Sequence, residues 1–212
     1  MKYSIKTIVI CSLIFLFHAV GLFGFLTPSL SPLFLKLVPY HLLLMAALLI
    51  YSHAVKNKDF GIFLGVTYLA GFLIEVLGVS TGFIFGSYSY GTTLGIKLAD
   101  VPLLIGINWI ILIYCTGAAV KYLKIRNHLL RALIGATFLV FLDILIEPVA
   151  IRYDYWSWEG LNIPFQNYVA WFVFSFCMLM FFFARKFRKN NPAAIAMLIS
   201  QTLFFLVLNY IV

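Results

Sequence analysis

The chain has 212 residues, of which 64% are hydrophobic and only 10% charged, and its mean hydropathy is +1.05. A soluble domain carries about 25% charged residues, so this composition excludes an ordinary soluble protein and indicates an all-α, polytopic membrane protein. The net charge of +8 does not indicate a nucleic-acid partner, because the basic residues lie in short loops between apolar runs.

Seven apolar runs follow one another along the chain, and each is long enough to cross a hydrocarbon core of roughly 30 Å. They cover residues 5–26, 37–55, 60–79, 102–120, 129–149, 165–184 and 193–212. The first run also resembles a secretory signal, but it continues to Leu26 and is long enough to span. We therefore predict seven transmembrane helices in a single domain, residues 1–212.

Basic residues are distributed unevenly between alternate segments. Twelve, beginning with Lys2 and Lys6, lie in one set of segments, and only Lys36, Lys97 and Arg152 lie in the other set. Because Lys and Arg in short loops stay in the cytoplasm, this bias predicts a multi-pass protein of the cell (inner) membrane with a cytoplasmic N-terminus and an external C-terminus.

Residues 80–101 are rich in Gly, Ser, Thr and Tyr. An eighth span here would put the later basic residues on the opposite side from the earlier ones and would remove the charge bias. We predict a re-entrant or lid segment on the outer side, because irregular backbone at membrane depth is tolerated only against protein or a wet cavity. Two alternatives stay open: an ordinary outer loop, or an extended third helix in which Gly78, Gly82 and Gly86 form a packing face.

Six of the seven acidic residues are expected in the outer half of the membrane or in outer loops. At 1.5 Å per residue, Glu75 in the third helix and Asp143 in the fifth reach a similar depth. Asn108 and Trp171, on helices that descend from the outer side, reach the same layer. Carboxylates inside a membrane are costly when ionised and unpaired, so these acids are functional candidates; the alternative is that they hydrogen-bond neighbouring helices.

Asp143 and Glu147 are four residues apart, so both project from one face of the fifth helix. Two carboxyls this close in a low dielectric do not both ionise easily, which leaves one protonated and available as an acid. Pro148 is expected to end or kink the helix beside them. The alternative is a structural acid pair at a helix end.

Aromatic residues crowd the same outer side, among them Tyr88, Tyr90, Trp156 and Trp158. They fit an interfacial belt, or a site whose π faces stabilise a carbocation by on the order of 2 kcal/mol each when desolvated. Acids and aromatics in an apolar chamber favour protonation of an alkene.

The four histidines lack the paired spacing that a membrane di-iron oxygenase needs, so an added hydroxyl would come from water rather than dioxygen. We expect His18 and His53 to lie at helix interfaces or to form interhelical hydrogen bonds. The single cysteines, each inside an apolar run, indicate neither a disulfide framework nor a thiolate metal site.

Three stretches together carry a resemblance: Glu75 to Pro102 with EVLGVSTGFIFGSYSY, Asp143 to Pro148 with DILIEP, and Tyr155 to Trp171 with YWSWEGLNIPFQNYVAW. They resemble the integral-membrane carotenoid biosynthesis proteins, and among these the carotenoid 1,2-hydratases, which act on bisanhydrobacterioruberin, γ-carotene or lycopene. The resemblance is strongest over about residues 60–175. It implies addition of water to the terminal double bond of an acyclic ψ end group, without a redox cofactor or metal.

Taken with the residues above, the resemblance implies Glu75, Asp143 and Glu147 as the catalytic carboxyls. Glu147 stands where the family usually has an aspartate, which preserves an acid. The expected substrate is an acyclic or monocyclic carotenoid taken from the lipid bilayer. The expected substrate-binding residues are Tyr88, Tyr90, Asn108, Trp156, Trp158, Asn167 and Trp171.

Two other functions stay open. A membrane carotenoid cyclase also protonates a polyene end group, but it quenches the cation internally. A proton-coupled carrier would use the paired carboxylates as a relay. The one-sided acid layer and the lack of repeated broken helices disfavour the carrier. Whether the protein works with other carotenoid enzymes also stays open, and no nucleic-acid partner is expected.

Overall fold

The computed structural model describes residues 4–160 and 162–211. In that part of the chain, seven helices are long and apolar enough to cross a membrane, as predicted. They are α1 (Ile5–Leu26), α2 (Ser31–Ser52), α3 (Lys58–Thr81), α4 (Leu104–Lys121), α5 (His128–Arg152), α6 (Phe165–Ala184) and α7 (Pro192–Ile211). Lys2, which contributes to the charge bias, and Val212, at the predicted end of the seventh helix, lie outside the described residues.

Polar side chains fix the starts of two long helices. Asn57 caps α3 by accepting a hydrogen bond from the backbone N–H of Phe60 at 2.9 Å, and Asn127 caps α5 in the same way from Leu130 at 3.2 Å. Each cap satisfies a first-turn N–H that has no partner within the helix.

Two helices extend beyond the predicted apolar runs, one at its start and one at its end. α2 begins at Ser31 rather than at residue 37, because Pro32 lies in the first turn, where its missing N–H has no partner to lose. Of the end or kink expected at Pro148, the end does not occur, because α5 continues to Arg152. In a bundle, neighbouring helices re-satisfy the single carbonyl that an internal proline frees.

The alternative in which α3 extends through Gly86 does not occur. Gly82 adopts a left-handed conformation with φ of 64°, and its N–H bonds to the carbonyl of Gly78, which ends the helix at Thr81. The next residues leave the helix axis, so Gly78, Gly82 and Gly86 do not form one helical packing face.

α4 is the central helix of the bundle. It contacts α2, α3, α5, α6 and α7, and it is the most buried of the seven. The outer helices expose apolar side chains instead. On α3, for example, Leu69, Leu73 and Leu77 form an exposed stripe at a spacing of four residues. Such an apolar surface is suited to lipid contact.

The segment between α3 and α4 enters and leaves at one end of the bundle, as predicted. It contains β1 (Tyr88–Tyr90), β2 (Lys97–Leu98) and β3 (Val101–Pro102), and a fourth strand, β4 (Trp156–Trp158), follows α5. β1 pairs with β4 and β2 with β3, both antiparallel. Phe85, Tyr90 and Leu94 of this segment are buried, so it packs onto the bundle as a lid rather than forming an ordinary exposed loop.

At the opposite end, Arg185 forms an ion pair with Asp59 and connects α6 to α3. His53 contributes an interhelical hydrogen bond, as predicted, because its Nδ1 lies 2.8 Å from the Tyr114 hydroxyl of α4. Nδ1 of His18 lies 2.8 Å from the carbonyl of Ile14 in its own helix, and the centroid of its ring lies 4.8 Å from that of His41 on α2. Two of the histidines that are isolated in the sequence are therefore neighbours in the fold.

Candidate active site

Glu75 is buried on α3 and accepts three hydrogen bonds from three other parts of the chain. Its Oε2 accepts from the hydroxyls of Tyr88 at 2.6 Å and Tyr90 at 2.7 Å. Its Oε1 accepts from the indole N–H of Trp109 on α4 at 3.1 Å. All three neighbours donate, and hydrogen bonds donated to a carboxylate are stronger than neutral ones. These donors offset part of the cost of burying Glu75 as a carboxylate.

A glycine makes the contact with Trp109 possible. Gly71 lies one turn before Glu75 on α3, and a Cβ at this position would be 2.6 Å from the Trp109 ring. Glycine lets the indole lie against the helix and reach Glu75. The close approach of α3 and α4 is thus part of how the carboxylate obtains its third donor.

The tyrosines reach Glu75 because they lie on a short two-stranded ladder. In β1 and β4, Tyr88 is opposite Trp158 and Tyr90 is opposite Trp156. Side chains alternate between the faces of a strand, so the two tyrosines and two tryptophans share one face. The intervening serines occupy the other face. This pairing builds a patch of four aromatic rings, in which Tyr88 and Trp158 have ring centroids 5.2 Å apart.

The phenols of this patch are held neutral. Burial, followed by the nearby Glu75, raises the pKa of both Tyr88 and Tyr90 above the usual value. Both therefore keep their protons at neutral pH and act as O–H donors towards Glu75.

The tryptophans of the patch donate to a second acid. The indole N–H groups of Trp156 and Trp158 lie 3.0 Å and 2.9 Å from Oε2 of Glu147, which is buried on α5. The ladder therefore supplies hydroxyl donors to Glu75 from one strand and indole donors to Glu147 from the other. It holds both acids against the same aromatic surface.

Asn167 of α6 joins the two acids of α5. Its side-chain amide donates to Oδ2 of Asp143 at 2.9 Å and lies 3.4 Å from Oε1 of Glu147. The other oxygen of Asp143, Oδ1, is buried and has no hydrogen-bond partner among residues 4–160 and 162–211. An unpartnered buried carboxylate oxygen is costly, so this oxygen is a suitable place for a proton.

No cationic side chain neutralises this acid group: within the described ranges, the one ion pair is the distant one between Asp59 and Arg185. Three carboxyls in an apolar interior without a cationic partner cannot all be ionised at a reasonable energy. At least one proton is therefore shared among Glu75, Asp143 and Glu147.

A small cavity of about 30 Å³ lies between the acids. One water needs only about 10–15 Å³ of such space, so the cavity has room for a water. It is lined by Glu75, Phe85, Tyr88, Tyr90, Ile105, Asn108, Trp109, Glu147, Trp156, Trp158, Asn167 and Trp171.

The structure brings nine of the ten residues predicted for the site to this cavity. The exception is Asp143, which is fully buried behind Asn167 and does not line the cavity. The sequence interpretation missed Trp109, which donates to Glu75 and whose ring lies 4.6 Å from that of Trp171. Its position next to Asn108, already assigned to this layer, was the available signal.

Residues 36–212 match the family described as "Carotenoid biosynthesis protein". The chain is 28% identical over 122 residues to "Bisanhydrobacterioruberin hydratase" of Haloarcula japonica, an alignment that covers 54% of this chain. The aligned region spans only 42% of that relative's length. No solved structure matches significantly.

Proposed function

The chain belongs to the carotenoid biosynthesis protein family, and on this premise we propose that it is a carotenoid 1,2-hydratase. In this proposal it adds water to the terminal double bond of an acyclic ψ end group and forms a tertiary alcohol, without a redox cofactor. The name of the Haloarcula relative supports the reaction class. The observation that carries the proposal is the water-sized cavity between Glu75 and Glu147, walled by aromatic rings.

The first step is protonation of the alkene. Asp143 and Glu147 share the amide of Asn167, and as neighbouring carboxyls they hold a proton between them. Glu147 lines the cavity and Asp143 does not, so Glu147 delivers the proton and Asp143 acts as a positioning residue behind it. The proton goes to the less substituted alkene carbon, the π bond breaks, and a tertiary cation forms.

The aromatic patch stabilises this cation. Rings of Tyr88, Tyr90, Trp156 and Trp158 line the cavity, and their faces attract positive charge. Each ring contributes on the order of 2 kcal/mol when water is excluded. The ladder holds the rings rigidly, so little reorganisation is needed as charge develops.

The second step is capture of the cation by water. A water in the cavity forms a C–O bond to the cation, and Glu75 accepts the proton that the water loses. The net change is addition of one water to one double bond, with no electrons gained or lost. For the next cycle the proton returns from Glu75 to Glu147. The room for a water between the two acids supports hydration over internal quenching by the polyene.

The proposal includes a location and an orientation in the membrane. The seven apolar helices make this a multi-pass membrane protein. We place the acid layer towards the outer face of the cell membrane, with the N-terminus in the cytoplasm, because of the distribution of basic residues. The substrate is an acyclic or monocyclic carotenoid dissolved in the bilayer, and residues 1–212 act as one domain.

Expression in a lycopene-accumulating bacterium, followed by mass spectrometry of the pigments, tests this function. The expected product is heavier by one water and carries a tertiary hydroxyl, and its oxygen comes from isotopically labelled water. Unchanged mass with altered absorption would identify a cyclase instead. A product whose oxygen came from dioxygen would refute the hydration mechanism.

A further inference from the structure

The end of the bundle opposite the lid carries many basic side chains and very little acid. Ten Lys or Arg residues lie there, in the segments 56–58, 121–131 and 185–189. Of the seven acidic residues, all within the described ranges, Asp59 alone lies at this end. Its carboxylate already pairs with Arg185. The other cations therefore have no carboxylate of this chain available to them.

One of these cations, Arg131 of α5, is buried. It is only 6% exposed, and its Nε is enclosed without a hydrogen-bond partner among residues 4–160 and 162–211. Its guanidinium carbon lies 5.6 Å from the centroid of the Phe183 ring on α6, a cation–π contact that offsets part of the cost of burial. Arginine does not lose its proton in a protein, so the charge remains. A buried cation without an anionic partner is costly, and an anion from outside the chain would complete this site.

A lysine lies close to Arg131 on the same aromatic surface. Nζ of Lys189, in the segment between α6 and α7, is 5.5 Å from the centroid of the Phe182 ring. The rings of Phe182 and Phe183 are themselves 5.2 Å apart. Adjacent rings therefore hold Lys189 and Arg131 side by side.

Lys121, the last residue of α4, is the third cation of this region. Burial, followed by the positive charge of Lys121, lowers the pKa of Lys189, and Arg131 acts in the same direction while Asp59 opposes it. The three cations thus repel one another across the ends of α4, α5 and α6. We call Lys121, Arg131 and Lys189 the basic group.

The start of α5 adds to this positive potential. Arg131 is the fourth residue of the helix, and the first turn contains no acidic residue. The first turn is the positive end of the helix dipole, where anions are stabilised and cations are not. The position of Arg131 therefore favours a bound anion.

Apolar side chains surround the basic group on the outside of the bundle. Leu129, Leu130 and Leu133, next to Arg131 on α5, are 50%, 45% and 37% exposed. Exposed leucines on a membrane-spanning helix are suited to contact with acyl chains. An anion bound by Arg131 can therefore be attached to a hydrocarbon chain that lies along α5.

We propose that the basic group is a binding site for a phosphate group, supplied by an anionic phospholipid of the surrounding membrane. The guanidinium fork of Arg131 matches two phosphate oxygens, and the two ammonium groups neutralise the remaining charge. Basic sites at the ends of membrane helices are suited to anionic headgroups. Inorganic phosphate from water offers the same oxygens but makes no contact with the leucines. This site lies at the opposite end from the three acids, so the inference does not depend on the proposed reaction.

The test uses the purified full-length protein in neutral detergent micelles that contain either phosphatidylglycerol or phosphatidylcholine at equal mole fraction. A third arm adds inorganic phosphate to the phosphatidylcholine micelles. Fluorescence-detected size exclusion after heating gives the midpoint of unfolding. A ligand that binds only the folded protein raises this midpoint, and near saturation phosphatidylglycerol should raise it by about 3–6 °C relative to phosphatidylcholine.

Arg131→Gln should lose most of this phosphatidylglycerol shift, because the amide keeps polarity but neither the charge nor the fork. Lys121→Gln, at a half-buried position, should reduce the shift as well, and it is the second variant in case Arg131→Gln does not fold. Arg126→Gln is the matched control, since it removes one positive charge at the same end from an exposed side chain and should leave the shift unchanged.

The outcomes separate a specific site from general attraction between charges. A wild-type midpoint that is no higher in phosphatidylglycerol than in phosphatidylcholine overturns the proposal. A shift that falls equally in Arg126→Gln and in the variants of the basic group also overturns it, because the attraction is then spread over the surface. An equal rise with inorganic phosphate keeps the phosphate site but overturns the lipid as its source.

Discussion

Glu75→Gln removes a carboxylate from the candidate active site but keeps the shape of the side chain. In the wild-type protein, Glu75 accepts hydrogen bonds from Tyr88, Tyr90 and Trp109. The indole N–H of Trp109 only donates, so the carbonyl oxygen of the new glutamine must face it. The glutamine NH₂ then faces the two tyrosine hydroxyls, which can rotate and accept.

The expected magnitudes follow from this geometry. All three contacts survive as neutral hydrogen bonds, so the free energy of unfolding should fall by only about 1 kcal/mol. The amide cannot accept a proton from water, so the hydration rate should fall by about 10²- to 10⁴-fold, the usual contribution of general acid–base catalysis. Glu75→Leu differs, because it leaves three donors unpaired at about 1–3 kcal/mol each and should destabilise the protein.

Product formation in the lycopene-accumulating host is the assay for activity, and fluorescence-detected size exclusion after heating reports stability. Glu159→Gln is the matched control, since it makes the same chemical change at an exposed carboxyl outside the cavity. A folded Glu75→Gln protein with activity within about twofold of the wild-type protein would refute the role of Glu75 as the base that accepts the proton of water.

Three other substitutions test the remaining parts of the site. Trp158→Phe keeps an aromatic ring but removes the N–H donated to Glu147, so product formation should fall about 5- to 30-fold. An unchanged rate would argue against a role for that hydrogen bond. Asp143→Asn should lower product formation at least about tenfold, because Glu147 loses the carboxyl with which it shares its proton. Full activity of the variant would exclude a role for Asp143. Gly71→Ala places a Cβ 2.6 Å from the Trp109 ring and should cost about 1–3 kcal/mol of stability in heating assays. Gly65→Ala, where a Cβ meets nothing within 4 Å, is its control, and equal stability of the two variants would contradict the packing argument.

The sequence predicted most of the residues that line the small cavity, because depth in a membrane follows from position along a helix. The hydropathy of each run and the fixed rise per residue placed Glu75, Asn108, Asp143 and Trp171 in one layer before any contact was known. The same reasoning could not show which acids face the cavity. Asp143 and Glu147 share one face of α5, so the difference depends on the side chains of neighbouring helices, and Asn167 of α6 covers Asp143.

The sequence by itself determined the seven spans and the types of residue in the acid layer, because these depend on local apolar length and composition. Only the tertiary structure decided the pairing of β1 with β4 and the meeting of His18 with His41. The alternating YSY and WSW strands each carry a period of two, but three residues are too short to specify a distant partner. Helix packing brings the two strands together, so that their four aromatic rings line one side of the small cavity.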